Sequence, residues 1–212
     1  GEAVSARILG VDVGLASCGW AVLERTADRW RLYAHGCVKT TPADGDDITR
    51  SVMIHRALRD VIESHAPRVV VTEAWRFYRD CDTTQAHALG MVVAAVHLAA
   101  VVCGVDHAEG ARAQDWRRSI GLPVDATKAA CQQRVAAALG LPGVITPQHA
   151  SDAAAVALVY ASGARMPVAA PQEAVAGARE AVAGVRDGVA GVREAVAGTR
   201  DAFADARDAV AS

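Results

Sequence analysis

Runs of apolar residues change period several times along this 212-residue chain, and each change marks a predicted element. Ala6 to Val13, with Ile8, Leu9, Val11 and Val13 at its heart, reads as a buried strand. Gly19 to Glu24 and Trp30 to Gly36 alternate apolar and polar positions around a turn at Thr26-Ala27-Asp28-Arg29, so two further strands should complete an antiparallel meander. Beyond the polar loop Thr40 to Asp47, residues Ile48, Val52, Leu58, Val61 and Ile62 recur at helical spacing. Pro67 should end that helix before a strand at Val69 to Val71. Thr83 to Val105 holds no Asp, Glu, Lys or Arg and predicts a long apolar helix, followed by a short strand at Val105 to Ala108. Asp115 to Ile120 predicts a short helix. Asp125 is the expected cap of a longer one that runs to Leu139 and stops at Gly140, with Pro142 and Gly143 beyond. In the last helix Thr146 should cap and Pro147 open the first turn, which places His149 and Asp152 three apart on one face.

From Ala174 the period becomes seven: AVAGARE, AVAGVRD, GVAGVRE, AVAGTRD and AFADARD follow one another without a gap. Val175, Val182, Val189, Val196, Phe203 and Val210 share one heptad position, and Ala178, Val185, Val192, Thr199 and Ala206 the position three further on. Glycine in four of the repeats costs about 0.8 to 1.0 kcal/mol each relative to alanine, so the helix is marginal and should order through self-association or docking. A low-complexity tail without a partner is the competing account. The expected organisation is a domain over 1–165, a linker over 166–173 and the heptad tail over 174–212.

Composition adds that the chain is Ala/Val-rich, 52% apolar but only 4% aromatic, and large enough for one ordinary core. A net charge of −2 gives no global attraction for a polyanion, so any such binding must rest on a local basic face. Cys18, Cys37, Cys81, Cys103 and Cys131 are odd in number and include no CxxC pair, which suggests reduced, buried thiols of a cytoplasmic protein. Gly1 to Arg7 does not read as a signal peptide. The uncharged helix is flanked by acids instead of a basic cluster, so a buried or dimer-interface helix is expected in preference to a membrane span.

Three acids stand in apolar surroundings: Asp12 ends its strand, Glu73 follows Val69-Val70-Val71-Thr72, and Asp152 lies in HASDAAAV. If the two strands are neighbours, Asp12 and Glu73 project together and the helix after Pro147 can bring His149 and Asp152 against them. Clustered carboxylates repel, and two Mg²⁺ ions about 3.5 to 4 Å apart would relieve that repulsion while clamping the attacking and leaving oxygens of a phosphoryl transfer. Oxygen ligands favour Mg²⁺ or Mn²⁺ over zinc. Taken singly, Asp12 could cap a turn, Glu73 could be a surface residue and Asp152 a solvated first-turn acid.

The segments ILGVDVGLASCGWAVLE, VVVTEAW, AQDWRRSIGLPVDATKAACQQRVAAALGL and HASDAAAVALVYA, with the Ala-rich helix among them, resemble the RuvC-type Holliday junction resolvases. The resemblance is collinear from about Ile8 to Ala161. It implies an α/β, ribonuclease H-like mixed five-stranded sheet flanked by helices, and a Mg²⁺-dependent, structure-selective endonuclease that usually works as a homodimer on branched DNA. It further implies that Asp12, Glu73, His149 and Asp152 form the metal-binding catalytic set, with Lys128 near the phosphates. Lys128 has an ordinary exposed lysine as its competing account. Val13 stands where the family commonly has Pro, and His149 where many members have a fourth acid.

Trp75, Phe77 and Tyr78, interleaved with Arg76 and Arg79, follow Glu73 and could stack on unpaired bases while the arginines meet phosphates, or Trp75 could simply be packed. Arg112, Arg117 and Arg118 could track a DNA arm or form a solvated face. His87 and His97 read as core or interface residues of the uncharged helix, the candidate dimer interface. The expectation is therefore a bacterial or phage-encoded junction resolvase of the cytoplasm. Two alternatives differ in class: an actin-like or sugar-kinase-type nucleotide-phosphate enzyme, disfavoured by Leu15 after Gly14 and by chain length, and a catalytically silent junction-binding scaffold, disfavoured by the complete acidic set.

Overall fold

Short β-branched runs supply the centre of the sheet, because a strand covered on both faces needs apolar residues at every position. In the computed structural model, which describes residues 6–74, 83–110, 117–118 and 120–163, the strands are β1 (Arg7–Asp12), β2 (Ser17–Arg25), β3 (Trp30–Lys39), β4 (Val69–Thr72) and β5 (Asp106–Glu109). They form one sheet in the order β3-β2-β1-β4-β5. β1 pairs antiparallel with β2 and β2 with β3, while β4 lies parallel to both β1 and β5. The expected meander is present, and Thr26 N–H donates to the Arg29 carbonyl at 2.9 Å in its turn.

Helices cover both faces. Leu9, Val11, Val22 and Val70 point to one side, where α1 (Asp47–His65) contributes Ile54, Leu58 and Ile62 and α2 (Thr83–Val102) contributes Val92, Val96, Ala99 and Ala100. Ile8, Ala21, Leu23, Val69 and Val71 point to the other, against α3 (Lys128–Ala138) and α4 (Gln148–Ala161). Asp46 caps α1 by accepting from the Thr49 N–H at 2.8 Å, and a left-handed Ala66 ends it just before Pro67. α2 is long and apolar enough to cross a membrane by length and composition, yet one of its faces completes this core.

Two caps differ from expectation. α3 starts at Thr127, whose hydroxyl accepts from the Ala130 N–H, and not at Asp125, because the intervening residues form a turn in which the Ala126 N–H bonds the Pro123 carbonyl. In α4 Pro147, joined to Thr146 by a cis peptide, is itself the N-cap and no side chain caps the helix. Of the cysteines in described residues, Cys18 and Cys131 are buried, whereas Cys37 and Cys103 are half-buried, and all four are free thiols. Of the helix predicted at 115–120, Arg117 and Arg118 are helical and Ile120 lies in a turn, while 115, 116 and 119 fall outside the described residues. So do Cys81, the linker 166–173 and the heptad tail 174–212.

Candidate metal centre at the end of the first strand

Strand alternation aims the first acid. Ile8 belongs to the α4-facing core and a Cβ on Gly10 would strike α4, so Asp12, two residues further, faces the same way. Val11 pairs with Thr72 across the parallel ladder, which sets Glu73 beside Asp12 at the carboxyl ends of adjacent strands. Glycines decide how close the helix comes. A Cβ on Gly10 would lie 2.1 Å from the Ala153 carbonyl oxygen, and one on Gly19, the antiparallel neighbour of Asp12, would lie 2.1 Å from the His149 carbonyl oxygen. Only hydrogen fits at either place. Together with Ala150, Ala153, Ala154 and Ala157, all fully buried, these glycines let α4 lie directly on the sheet with its first turn over Asp12.

The result is a compact donor set. His149 Nδ1 is 2.8 Å from Asp12 Oδ2, and ligand atoms of Asp12, His149 and Asp152 all lie within 4.8 Å of one another. Glu73, Lys128, Arg117, Cys131 and Gln148 line the same cleft. Gln148 Nε2 reaches Asp152 Oδ2 at 3.5 Å, and Arg117 Nη1 donates to the Val124 carbonyl at 2.9 Å, holding the loop before α3.

Burial dominates the electrostatics. It raises the Asp12 carboxyl to about 6, with the His149 hydrogen bond pulling the other way and the Asp152 charge adding to the rise. Asp152 is raised as well, chiefly by burial, with Gln148, His149, Lys128 and Arg117 opposing. Two acids that resist ionisation beside an imidazole form a donor set that a divalent cation fits, since its charge offsets the cost of ionising both.

Of the residues singled out in the sequence, Asp12, Glu73, Lys128, Asp152 and Arg117 line this cleft and His149 joins them through Asp12, while Arg118 is exposed. Trp75, Arg76, Phe77, Tyr78, Arg79 and Arg112 lie outside the described residues. Sequence reasoning missed Gln148, although its place one helical turn before Asp152 was a usable signal. It also missed Cys131, which reaches the cleft wall only through the packing of α3 on the sheet.

A mixed sheet in this order, with acids from the ends of β1 and β4 and from a packed helix lining one cleft, defines a ribonuclease H-like domain with a group of side chains able to hold a metal ion. Crossover junction endodeoxyribonuclease RuvC is the family that matches, over residues 8–160. The chain belongs to that family, whose members are metal-dependent nucleases. RuvC of Methylobacillus flagellatus is 32% identical over 161 residues, covering 74% of this chain and 87% of that protein. RuvC of Maricaulis maris is 33% identical over 162 residues, covering 75% and 92%. Among solved structures, Thermus thermophilus RuvC in complex with Holliday junction substrate matches with a TM-score of 0.65 and 28% identity, over 77% of this chain and 97% of that one. The yeast mitochondrial Holliday junction resolvase Ydc2, at 10% identity and a TM-score of 0.53, shares the fold.

Proposed function

We propose that this chain resolves four-way DNA junctions by Mg²⁺-dependent hydrolysis, with Mn²⁺ able to substitute, and that Asp12, Glu73, His149 and Asp152 are its metal ligands. The observation that carries the reading is the cleft in which Asp12, His149 and Asp152 bring ligand atoms within 4.8 Å of one another while Glu73 and Lys128 line the wall. Bound divalent ions would neutralise the acids, activate a water and stabilise the charge that develops on the scissile phosphate and its leaving oxygen.

The chain's own residues divide the remaining work. Asp12, central to the set, would hold both ions, with Glu73 and Asp152 holding one each. His149, on the open side of Asp12, would complete one ion's shell and orient the water. Lys128 and Arg117 would meet the phosphate oxygens, supplying locally the positive charge that a net −2 chain lacks globally. Gln148, whose Nε2 lies 3.5 Å from Asp152 Oδ2, would help hold that carboxylate in the cleft. Trp75, Phe77 and Tyr78 would stack on bases unpaired at the crossover, with Arg76, Arg79, Arg112 and Arg118 along the arms.

A symmetric dimer suits paired nicks, because two related sites then meet two related phosphates. The α2 helix supports that assignment by leaving Leu98 and Val102, one turn apart, 49% and 41% exposed. The heptad tail would add a self-association device outside the nuclease domain, and a bacterial or phage-encoded resolvase would work in the bacterial cytoplasm. The test offers a mobile four-way junction, a linear duplex and a three-way fork with Mg²⁺. Symmetric nicks confined to the junction are expected, and equal cutting of all three would contradict junction selectivity.

A further inference from the structure

The last residue of β4 is held more firmly than a strand end requires. Thr72 is fully buried, and its side chain lies on the α2 side of the sheet, opposite to the cleft. There Thr72 Oγ1 is hydrogen-bonded to His97 Nε2 of α2 at 3.3 Å. Its carbonyl accepts from the Gly110 N–H at 2.5 Å, just beyond β5. Gly110 is needed for that approach, since a Cβ there would stand 2.8 Å from the Thr72 carbonyl oxygen. His97 in turn packs on the ring of His107 from β5, with centroids 5.0 Å apart. Thr72 is therefore fixed through side chain and carbonyl by two different elements, and the next residue is Glu73.

A hydroxyl and an imidazole facing each other in a buried place are a costly way to fill space. A valine and a leucine would bury as much apolar surface without desolvating two polar groups, and His97 Nδ1 is left buried with no hydrogen-bond partner. Burial and the neighbouring His107 push the His97 imidazole down to about 4, so it is neutral at physiological pH and the contact keeps one protonation form. Such a contact contributes orientation: it fixes the rotation of the β4 end, and with it the direction in which Glu73 leaves the sheet.

We propose that His97, acting through Thr72, is a positioning residue for Glu73, so that a histidine on the far side of the sheet sets metal affinity in the cleft. This rests on the nuclease reading in one respect, that Glu73 is a metal ligand. Neither His97 nor Thr72 touches the metal site, and the coupling runs through one peptide unit.

The test measures Mn²⁺ affinity by calorimetry for the full chain and for Thr72→Val, Thr72→Ser, His97→Ala and His97→Gln, with melting temperatures and junction cleavage alongside. Thr72→Val and His97→Ala should weaken Mn²⁺ about tenfold well below their melting points, while Thr72→Ser and His97→Gln, which keep a hydrogen-bonding partner, should stay within about threefold of the wild type. In a Glu73→Gln background, His97→Ala should weaken Mn²⁺ no further. A purely structural histidine would lower the melting temperature and leave Mn²⁺ affinity within about twofold, or weaken it equally in both backgrounds. Either result overturns the proposal. Wild-type Mn²⁺ binding without junction cleavage would reject the resolvase reading and leave the affinities to decide on His97. Absence of Mn²⁺ binding by the wild type would reject both.

Discussion

Asp12 ends β1 with its carboxylate partly buried and bonded to His149, and burial is what lifts its pKa to about 6. Two consequences follow at the scale of this one residue. A proton competes with a metal ion for the carboxylate, so Mn²⁺ affinity should be insensitive to this group above pH about 7 and fall by about tenfold per unit below pH about 6. A calorimetric pH series reads this directly, and an affinity unchanged down to pH about 5 would count against it. The second consequence concerns stability without metal. A carboxyl whose folded pKa is raised contributes stability that is present below its unfolded value of 3.8 and lost as pH rises through about 6, so at pH 8 the ionised form is a burden. Asp12→Asn should therefore stabilise the metal-free protein at pH 8 by up to about 3 kcal/mol, seen as a higher melting temperature that the wild type recovers on adding Mg²⁺. Local pattern put Asp12 at a strand end and His149 and Asp152 on one helical face, but their convergence was legible only by supposing β1 and β4 to be neighbours and through the family resemblance. Gln148 and Cys131 were not, since nothing local says that the start of α4 and the side of α3 share a wall. The Thr72–His97 contact was equally hidden, because a threonine and a histidine 25 residues apart carry no joint pattern.

Among the elements, α4 does most to build the site, and it does so by lying closer to the sheet than larger residues allow. Gly10→Ala and Gly19→Ala each place a methyl group 2.1 Å from an α4 carbonyl oxygen, so the helix must lift. Each should cost about 1–3 kcal/mol in chemical denaturation and weaken Mn²⁺ binding more than an alanine substitution at exposed Gly143. Gly143 has no atom within 4 Å of its would-be Cβ, so it controls for the effect of alanine itself. Element types were readable from period alone: the three-strand meander, α1 with its apolar repeat, and the uncharged α2 all occur at the expected places. The starts of α3 and α4 were not, because Asp125 and Thr146 are good caps in isolation and the turns around Pro123 and Pro147 displaced them.

On the scale of the whole molecule, the succession of a meander and helix-linked strands could be read from the sequence, whereas the mixed five-stranded sheet was implied only by the family resemblance; the structure places β1 at its centre, with acids at the carboxyl ends of β1 and β4. Assembly could not be read so directly, since an apolar helix serves a core and an interface with the same residues. The core of α2 uses Val92, Val96, Ala99 and Ala100, which leaves Leu98 and Val102 exposed on the face we propose for a partner copy. Replacing both with Glu should leave the melting temperature within a few degrees and raise the dimer dissociation constant by about tenfold or more in sedimentation. Paired nicks should then give way to single ones. A dimer that survives the double substitution would move the interface elsewhere.

The most direct measurement sets wild type against Asp12→Asn on one mobile four-way junction, recording binding and cleavage in the same Mg²⁺ buffer. The variant should bind the junction within about threefold of wild type and cut it at least about a thousandfold more slowly. Cleavage by Asp12→Asn at a rate near that of the wild type would contradict the claim that this carboxylate holds the metal on which the reaction depends.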